Sequence, residues 1–351
     1  MLTIGSRRFE SRAVQAALSG YSDRPMRLIA RRYGAELTMN EVVLDRLVLQ
    51  KGKLRDEILS LGADDHPTGG QLMGSEPEQF AAAAHELVEA GYDLVDINFG
   101  CPVRKVLGRC RGGYLLTEPK KALEIVRGVV GSVAGRRPVL LKMRRGFDDT
   151  AESERNFFTI LDGALSSGVA AITVHGRTVE QRYVGPARWS FLSRVKRHVG
   201  DRTVLGSGDL FTAEAVKRMI EETGVDGVMV ARGAIGNPFI FRECRALLSG
   251  APLPPPPGVA EQREAIERHL ALAESVYGAS RAAILLRKFW IRYSQLHPCA
   301  EEVRQAFLDA KNSVDCAGAI ARWYDPNREW PPVVRRDVPA DLIASGSSLE
   351  S

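Results

Sequence analysis

From about residue 13 to residue 248, short apolar runs alternate with longer segments that repeat their apolar positions every three or four residues. The runs are Ala13–Leu18, Ala35–Met39, Gly70–Met73, Leu94–Asn98, Val139–Met143, Ala171–His175, Thr203–Gly206 and Gly227–Ala231. A continuous apolar run of this length is expected of a strand buried on both faces, and the intervening period is that of a helix with one buried stripe. Pro77–Ala90, Ala122–Val133 and Ala213–Glu222 are of the second kind. Eight strand–helix repeats predict an α/β fold closed as a (β/α)8 barrel, the TIM-barrel architecture. A doubly wound sheet is the alternative, but it would be expected to open with a G-x-G-x-x-G turn, and here that turn reads Leu18-Ser-Gly-Tyr-Ser-Asp23.

The alternation stops at Pro252–Gly258, whose sequence PLPPPPG is stiff, cannot continue a helix and marks a domain boundary. Beyond it, Ile266, Leu270, Ala273 and Tyr277 recur at helical spacing, as do Leu285, Phe289 and Tyr293, and then Val303, Phe307 and Ala310. These spacings predict a small helical bundle. The expected organisation is a barrel domain over 1–250, a helical domain over 258–325 and a tail over 326–351. Rich in proline and arginine and then in serine, the tail is expected to be partly disordered.

Composition changes this picture little. The chain has 44% hydrophobic and 26% charged residues, enough for a sizeable core, and no apolar run approaches the roughly 20 residues of a membrane span. The start MLTIGSRRFESR has no continuous apolar stretch, so a cytoplasmic location and no membrane partner are expected. The five cysteines are scattered without C-x-x-C spacing, which argues against a disulfide framework or a zinc site, and no metal is expected. A net charge of +5 permits a polyanionic partner without requiring one.

In a barrel of this kind the polar residues at the C-terminal ends of the strands converge on one site. Strand three offers Gln71, strand four ends Asp96-Ile-Asn-Phe-Gly-Cys101-Pro102, strand five carries Lys142, and strand six ends in His175. The segments Gly206-Ser207-Gly208-Asp209 and Ala231-Arg232-Gly233-Ala234 follow strands seven and eight, the usual phosphate position, where small residues let backbone N–H groups approach an anion. Lys142, inward on an apolar strand, fits two chemistries: donation to the electron-rich edge of a flavin, or a Schiff base. Cys101 lies where a thiol meets a ligand; a thiol of ordinary pKa, about 8.5, is mostly protonated at neutral pH and can act as a general acid. Packing as a buried apolar cysteine is the competing fate.

Several segments together resemble the tRNA-dihydrouridine synthase family, from about residue 13 to 312. They are Ser19-Gly-Tyr-Ser-Asp-Arg-Pro-Met-Arg27, Gln71-Leu-Met-Gly74, Asp96-Ile-Asn-Phe-Gly-Cys-Pro-Val-Arg-Lys-Val106 and Leu141-Lys-Met-Arg144, followed by Val174-His-Gly-Arg-Thr178 with Gln181, Tyr183 and Gly185, and Ala231-Arg-Gly-Ala-Ile-Gly-Asn-Pro238. The resemblance implies an FMN-binding barrel and a helical tRNA-binding domain, acting as a monomer that reduces the 5,6 double bond of uridines with NADPH as reductant. It implies that Cys101 gives a proton to the uracil ring. Cofactor contacts would come from Ala17, Leu18, Ser19, Gln71, Lys142, His175, Ser207, Gly208, Asp209, Ala231 and Arg232. Substrate contacts would come from Asn98, Arg144 and Arg177, and from Arg281, Lys288 and Arg292, which form one stripe of a helix. Two departures stand out: Ala16-Ala17-Leu18 replaces the family's A-P-M, and Gly206-Ser-Gly-Asp209 its G-N-G-D.

Three other functions share parts of this pattern. A flavin barrel acting on a free pyrimidine, similar to dihydroorotate dehydrogenase, accounts for the barrel and Lys142 but not for the helical domain. A flavin-free RNA-binding member of the family would account for the altered first strand end. A Schiff-base aldolase would use Lys142 as its nucleophile.

Overall fold

The computed structural model describes residues 1–335. It opens with an antiparallel hairpin, β1 (Leu2–Ile4) and β2 (Arg7–Phe9). Eight parallel strands then close a barrel in sequence order, β10 returning to pair with β3. They are β3 (Ala13–Gln15), β4 (Thr38–Leu44), β5 (Thr68–Met73), β6 (Leu94–Phe99), β7 (Val139–Arg144), β8 (Ala171–His175), β9 (Thr203–Ser207) and β10 (Gly227–Val230).

Around the barrel run α1 (Arg24–Arg32), α2 (Asp45–Leu49), α3 (Lys53–Leu59), α4 (Pro77–Glu89), α5 (Arg104–Leu107), α6 (Pro119–Val133), α7 (Ala151–Ser166), α8 (Trp189–Val199), α9 (Ala213–Thr223) and α10 (Ile240–Leu248). Local sequence sets their starts. Asp23, Thr150 and Thr212 accept the N–H groups of Met26, Ser153 and Ala215, while Pro25, Pro77 and Pro119 occupy first-turn positions where no N–H is needed.

The barrel matches the expected architecture, with three local differences. The first apolar run leaves the sheet at Gln15; Ala16 still donates to Val230 O at 2.9 Å, and residues 16–22 form a loop over the mouth. The second strand begins at Thr38, three residues late, and continues to Leu44 across a bulge between Met39 and Val42. Asn40 and Glu41 in that bulge interrupt the apolar run and hide its continuation. The hairpin was not anticipated, because strands of three residues are too short to show a period. Its Leu2, Ile4 and Phe9 pack with Leu37, Met39, Leu94, Leu140, Leu205 and Met229, closing the end of the barrel opposite the mouth.

After the proline-rich segment come α11 (Val259–Tyr277), α12 (Ala279–Tyr293), α13 (Ala300–Asp309) and α14 (Ser313–Trp323), packed around Phe289, Trp290, Val303 and Phe307. Of the expected tail, residues 326–335 follow a defined course: the Trp330 indole donates to Asp325 O at 2.9 Å, and Arg335 pairs with Glu243 at 2.9 Å. The remainder of that expectation, 336–351, lies outside the described residues. Among the described residues no helix is long and apolar enough to cross a membrane.

One buried ion pair ties the start of the barrel to the mouth. Arg27 of α1 is paired with Asp65, both almost wholly inaccessible, and its second nitrogen donates to Asn40 Oδ1 at 2.6 Å and to Ser22 O at 3.1 Å. Removing one member of such a pair strands a charge without water, at a cost of about 3–5 kcal/mol, whereas exposed pairs contribute at most about 1 kcal/mol. Asp65→Ala should therefore lower the urea midpoint far more than Glu264→Ala, which removes the exposed partner of Arg32. Equal shifts in the two variants would overturn this ranking.

Candidate active site

The C-terminal strand ends surround an open cleft with a cavity volume of about 160 Å3. Its lining includes Cys101, Asn98, Gln71, Lys142, Arg144, His175, Ala17, Leu18, Ser19, Ser207, Gly208, Asp209, Ala231 and Arg232. All the expected cofactor residues thus face one space, as do Cys101, Asn98 and Arg144. The other four expected substrate residues, Arg177, Arg281, Lys288 and Arg292, do not line it.

One wall is a relay of side-chain bonds. Asp96 accepts from Gln71 Nε2 at 2.6 Å, and Gln71 Oε1 accepts from Asn98 Nδ2 at 2.7 Å. Asn98 Oδ1 in turn accepts the N–H groups of Gly100 and Cys101 at 2.9 and 3.1 Å. Most of the Asn98 amide is therefore spent on fixing the backbone that carries the thiol. Opposite the thiol loop, Gly113 donates to Cys101 O at 3.0 Å, and Gly112, at φ +57°, leaves no room for a Cβ, which would lie 2.8 Å from that of Cys101. This glycine pair was missed from the sequence; its signal is the doubled glycine closing a basic loop.

Lys142 is half-buried beside Asp96 and carries no hydrogen bond to another described residue. Burial, and then the neighbouring Arg144, push its pKa down to about 8. Asp96 is pushed up to about 6 by burial, and its Oδ1 has no partner. The His175 ring accepts the Arg177 N–H at Nδ1, 3.2 Å, so a neutral ring carries its hydrogen on Nε2. Burial and the surrounding cations hold its pKa well below the usual value, which keeps the ring neutral.

At the corner formed by β9 and β10, Gly208 adopts φ +120° and Gly233 lies directly against Leu210 O, where any side chain would collide. Asp209 turns its carboxylate into the protein, accepting from Ala187 N at 2.7 Å and from Arg177 at 2.8 Å. Arg177 is wholly inaccessible and also binds Gly185 O. It braces the glycine-rich corner from behind and has no surface exposed to the cleft. Arg232 lies over the rings of Tyr183 and Phe211, 4.7 and 4.9 Å from their centres. Arg144 faces Tyr183 as well, at 5.4 Å, and donates to Gly100 O, Thr178 O and Arg182 O. It clasps the thiol loop to the loop after β8.

The α12 stripe does not form a free basic face. Arg281 pairs with Glu57 of α3 at 3.0 Å, and Lys288 donates to Gly20 O in the loop after β3. Arg292 flanks Gly236, whose lack of a side chain lets the α12 backbone approach.

These features define a TIM-barrel enzyme whose mouth combines a thiol, a half-buried ammonium and a glycine-rich corner flanked by Arg232. The chain belongs to the dihydrouridine synthase family, whose model, described as "Dihydrouridine synthase (Dus)", matches residues 14–321. It is accordingly an oxidoreductase. It is 34% identical over 333 residues to the "tRNA-dihydrouridine synthase B" of Pseudomonas aeruginosa, covering 94% of this chain and 97% of the relative. It is 33% identical over 326 residues to the "Probable tRNA-dihydrouridine synthase" of Rickettsia prowazekii, covering 92% and 98%. Among solved structures it resembles histamine dehydrogenase from Rhizobium sp. 4-9 (TM-score 0.55, 15% identity, 77% of this chain and 50% of that one). It also resembles morphinone reductase in complex with tetrahydroNAD (TM-score 0.52, 14% identity, 73% and 91%). At these identities the likenesses show the fold.

The half-buried ammonium makes a prediction about stability. A lysine whose pKa falls from 10.5 to about 8 on folding binds fewer protons than the unfolded chain between those values. Stability therefore rises with pH across that window, and below it the charged form is a cost. Lys142→Met removes the cost, so the ligand-free melting temperature at pH 7 should rise by about a few degrees, with the gain shrinking towards pH 10. A fall at pH 7 would show that the charge is well solvated.

Proposed function

We propose that this chain is an FMN-dependent tRNA-dihydrouridine synthase, reducing the 5,6 double bond of specific uridines in tRNA with hydride drawn from NADPH. The observation that carries the reading is the meeting, in one cleft, of the Cys101 thiol and the Lys142 ammonium beside a glycine-rich corner flanked by Arg232. The relatives' names supply the substrate class.

The residues fit a flavin mononucleotide. Gly208 and Gly233 open the corner to an anion, and the unpartnered Asp96 Oδ1 and the donor-rich Lys142 mark a place where ring polar atoms can be satisfied. In this reading Ser207-Gly208-Asp209 and Ala231-Arg232 hold the phosphate, Lys142 and the Nε2–H of His175 face the ring's electron-rich edge, and Gln71 completes its hydrogen bonds. Ala17, Leu18 and Ser19 contribute backbone, which their departure from the family pattern leaves intact. Bound there, the flavin supplies hydride to C6 of the base.

This chain's own residues do the rest. The Cys101 thiol gives its proton to C5, from a loop fixed by Asn98, Arg144 and Gly113. Because a stacked base cannot reach the cleft, the uridine must be swung out of its helix. Arg104, Lys105 and Arg109, directly after the thiol, are exposed and make no ion pair with the described residues, which suits them to phosphates flanking that uridine.

Cys101→Ala should leave FMN retention and reduction by NADPH near wild type while lowering dihydrouridine formation by about 10²–10⁴-fold, the usual contribution of a general acid. Single-turnover assays with reduced enzyme and unmodified tRNA would measure it. Turnover near wild type would remove Cys101 from the mechanism.

A further inference from the structure

The bundle reaches the cleft through the loop that follows β3. Lys288 of α12 donates to Gly20 O and lies 4.7 Å from the centre of the Tyr21 ring. Tyr21 in turn packs edge-on against Phe289 of α12 at 5.3 Å. At the end of α11, Tyr277 donates its hydroxyl to Asp23 at 3.0 Å. These contacts hold residues 20–23, and the same loop begins with Leu18 and Ser19 in the cleft lining. Within the loop, Leu18 N donates to Ser22 Oγ at 2.7 Å, and Tyr21 N and Ser22 N both donate to Leu18 O at 3.0 Å. A displacement at Gly20 is therefore carried to Leu18.

Charge adds to the hold. Asp23 and Glu41 of β4 are raised by burial, and each feels Lys288 as an attractive charge. Arg27 is the other cation facing both, with Arg292 near Tyr21 and the neutral Tyr277 hydroxyl beside Asp23. Burial lowers Lys288 itself, against the pull of these two carboxylates. An ammonium bonded to a backbone carbonyl beside two half-buried carboxylates is engaged by the protein rather than held out in solvent.

We propose that Lys288 is a positioning residue of the active site: through Gly20 and the Asp23–Glu41 pair it fixes the Leu18–Asp23 loop, so that the helical domain builds one wall of the cofactor cleft. This inference rests on the flavin reading of the cleft only for its second measurement. It departs from the phosphate-contact role that the stripe suggested from sequence.

Three measurements on the full chain test it, using Lys288→Met and Lys288→Arg. Amide hydrogen exchange on the ligand-free protein should quicken about tenfold at Leu18, Tyr21 and Ser22 in Lys288→Met, the scale of one lost charge-assisted hydrogen bond, with protection restored in Lys288→Arg. FMN affinity, from fluorescence titration, should fall about tenfold, and more as pH rises, because Asp23 and Glu41, raised by burial, lose one of their counter-charges as they ionise. The dependence of tRNA affinity on salt should keep its wild-type slope. Unchanged exchange together with a flatter salt slope would overturn the proposal and return Lys288 to the RNA surface. Should Lys288→Met fail to fold, Glu41→Gln/Lys288→Met removes one acid with the cation. Faster exchange at the loop then supports the proposal, and wild-type exchange overturns it. A chain that takes no flavin would sink the flavin reading, while the exchange result still decides the role of Lys288.

Discussion

Four buried or half-buried cations, Lys142, Arg144, Arg177 and Arg232, meet two carboxylates, Asp96 and Asp209, at the barrel mouth. An excess of positive charge held away from water is unfavourable unless an anion shares the space. This constraint organises the cleft. It explains why Lys142 has a depressed pKa and why His175 stays neutral. It also accounts for the Tyr183 ring laid against Arg144 and Arg232, whose electron-rich face favours a neighbouring cation.

The arginines divide their work by depth. Arg177, with no exposed surface, spends its bonds on Asp209 and Gly185 and so shapes the corner without entering it. Arg144 is nearly as deep but lies between two loops, and its three carbonyl partners come from both. Arg232 lines the cleft beside the glycine-rich corner, as Arg144 does beside the thiol loop. Reading all of them as ligand contacts would overlook that a guanidinium has five donors, enough to act as a joint.

Much of this was legible in the sequence, for identifiable reasons. Strands buried on both faces have to be continuously apolar, so the barrel was visible, and a closed barrel brings its strand ends together, so Gln71, Cys101, Lys142 and His175 could be placed in one cleft before any coordinates. What stayed hidden depends on contacts between segments distant in sequence. The hairpin was too short to show a period, and the bulge in β4 disguised Asn40 and Glu41 as loop. Which arginine is a brace is decided by burial, which residue type alone does not reveal. The surroundings of the α12 stripe were hidden for the same reason. Periodicity put Arg281, Lys288 and Arg292 on one face, and only packing shows that this face looks towards the barrel.

The hairpin caps the packed interior of the barrel. Leu2, Ile4 and Phe9 extend that core at its base, so the cleft opens only towards the strand ends at the opposite rim. Under the proposed chemistry, the reductant and the extruded uridine would both have to reach the cleft from the rim, the side away from the hairpin.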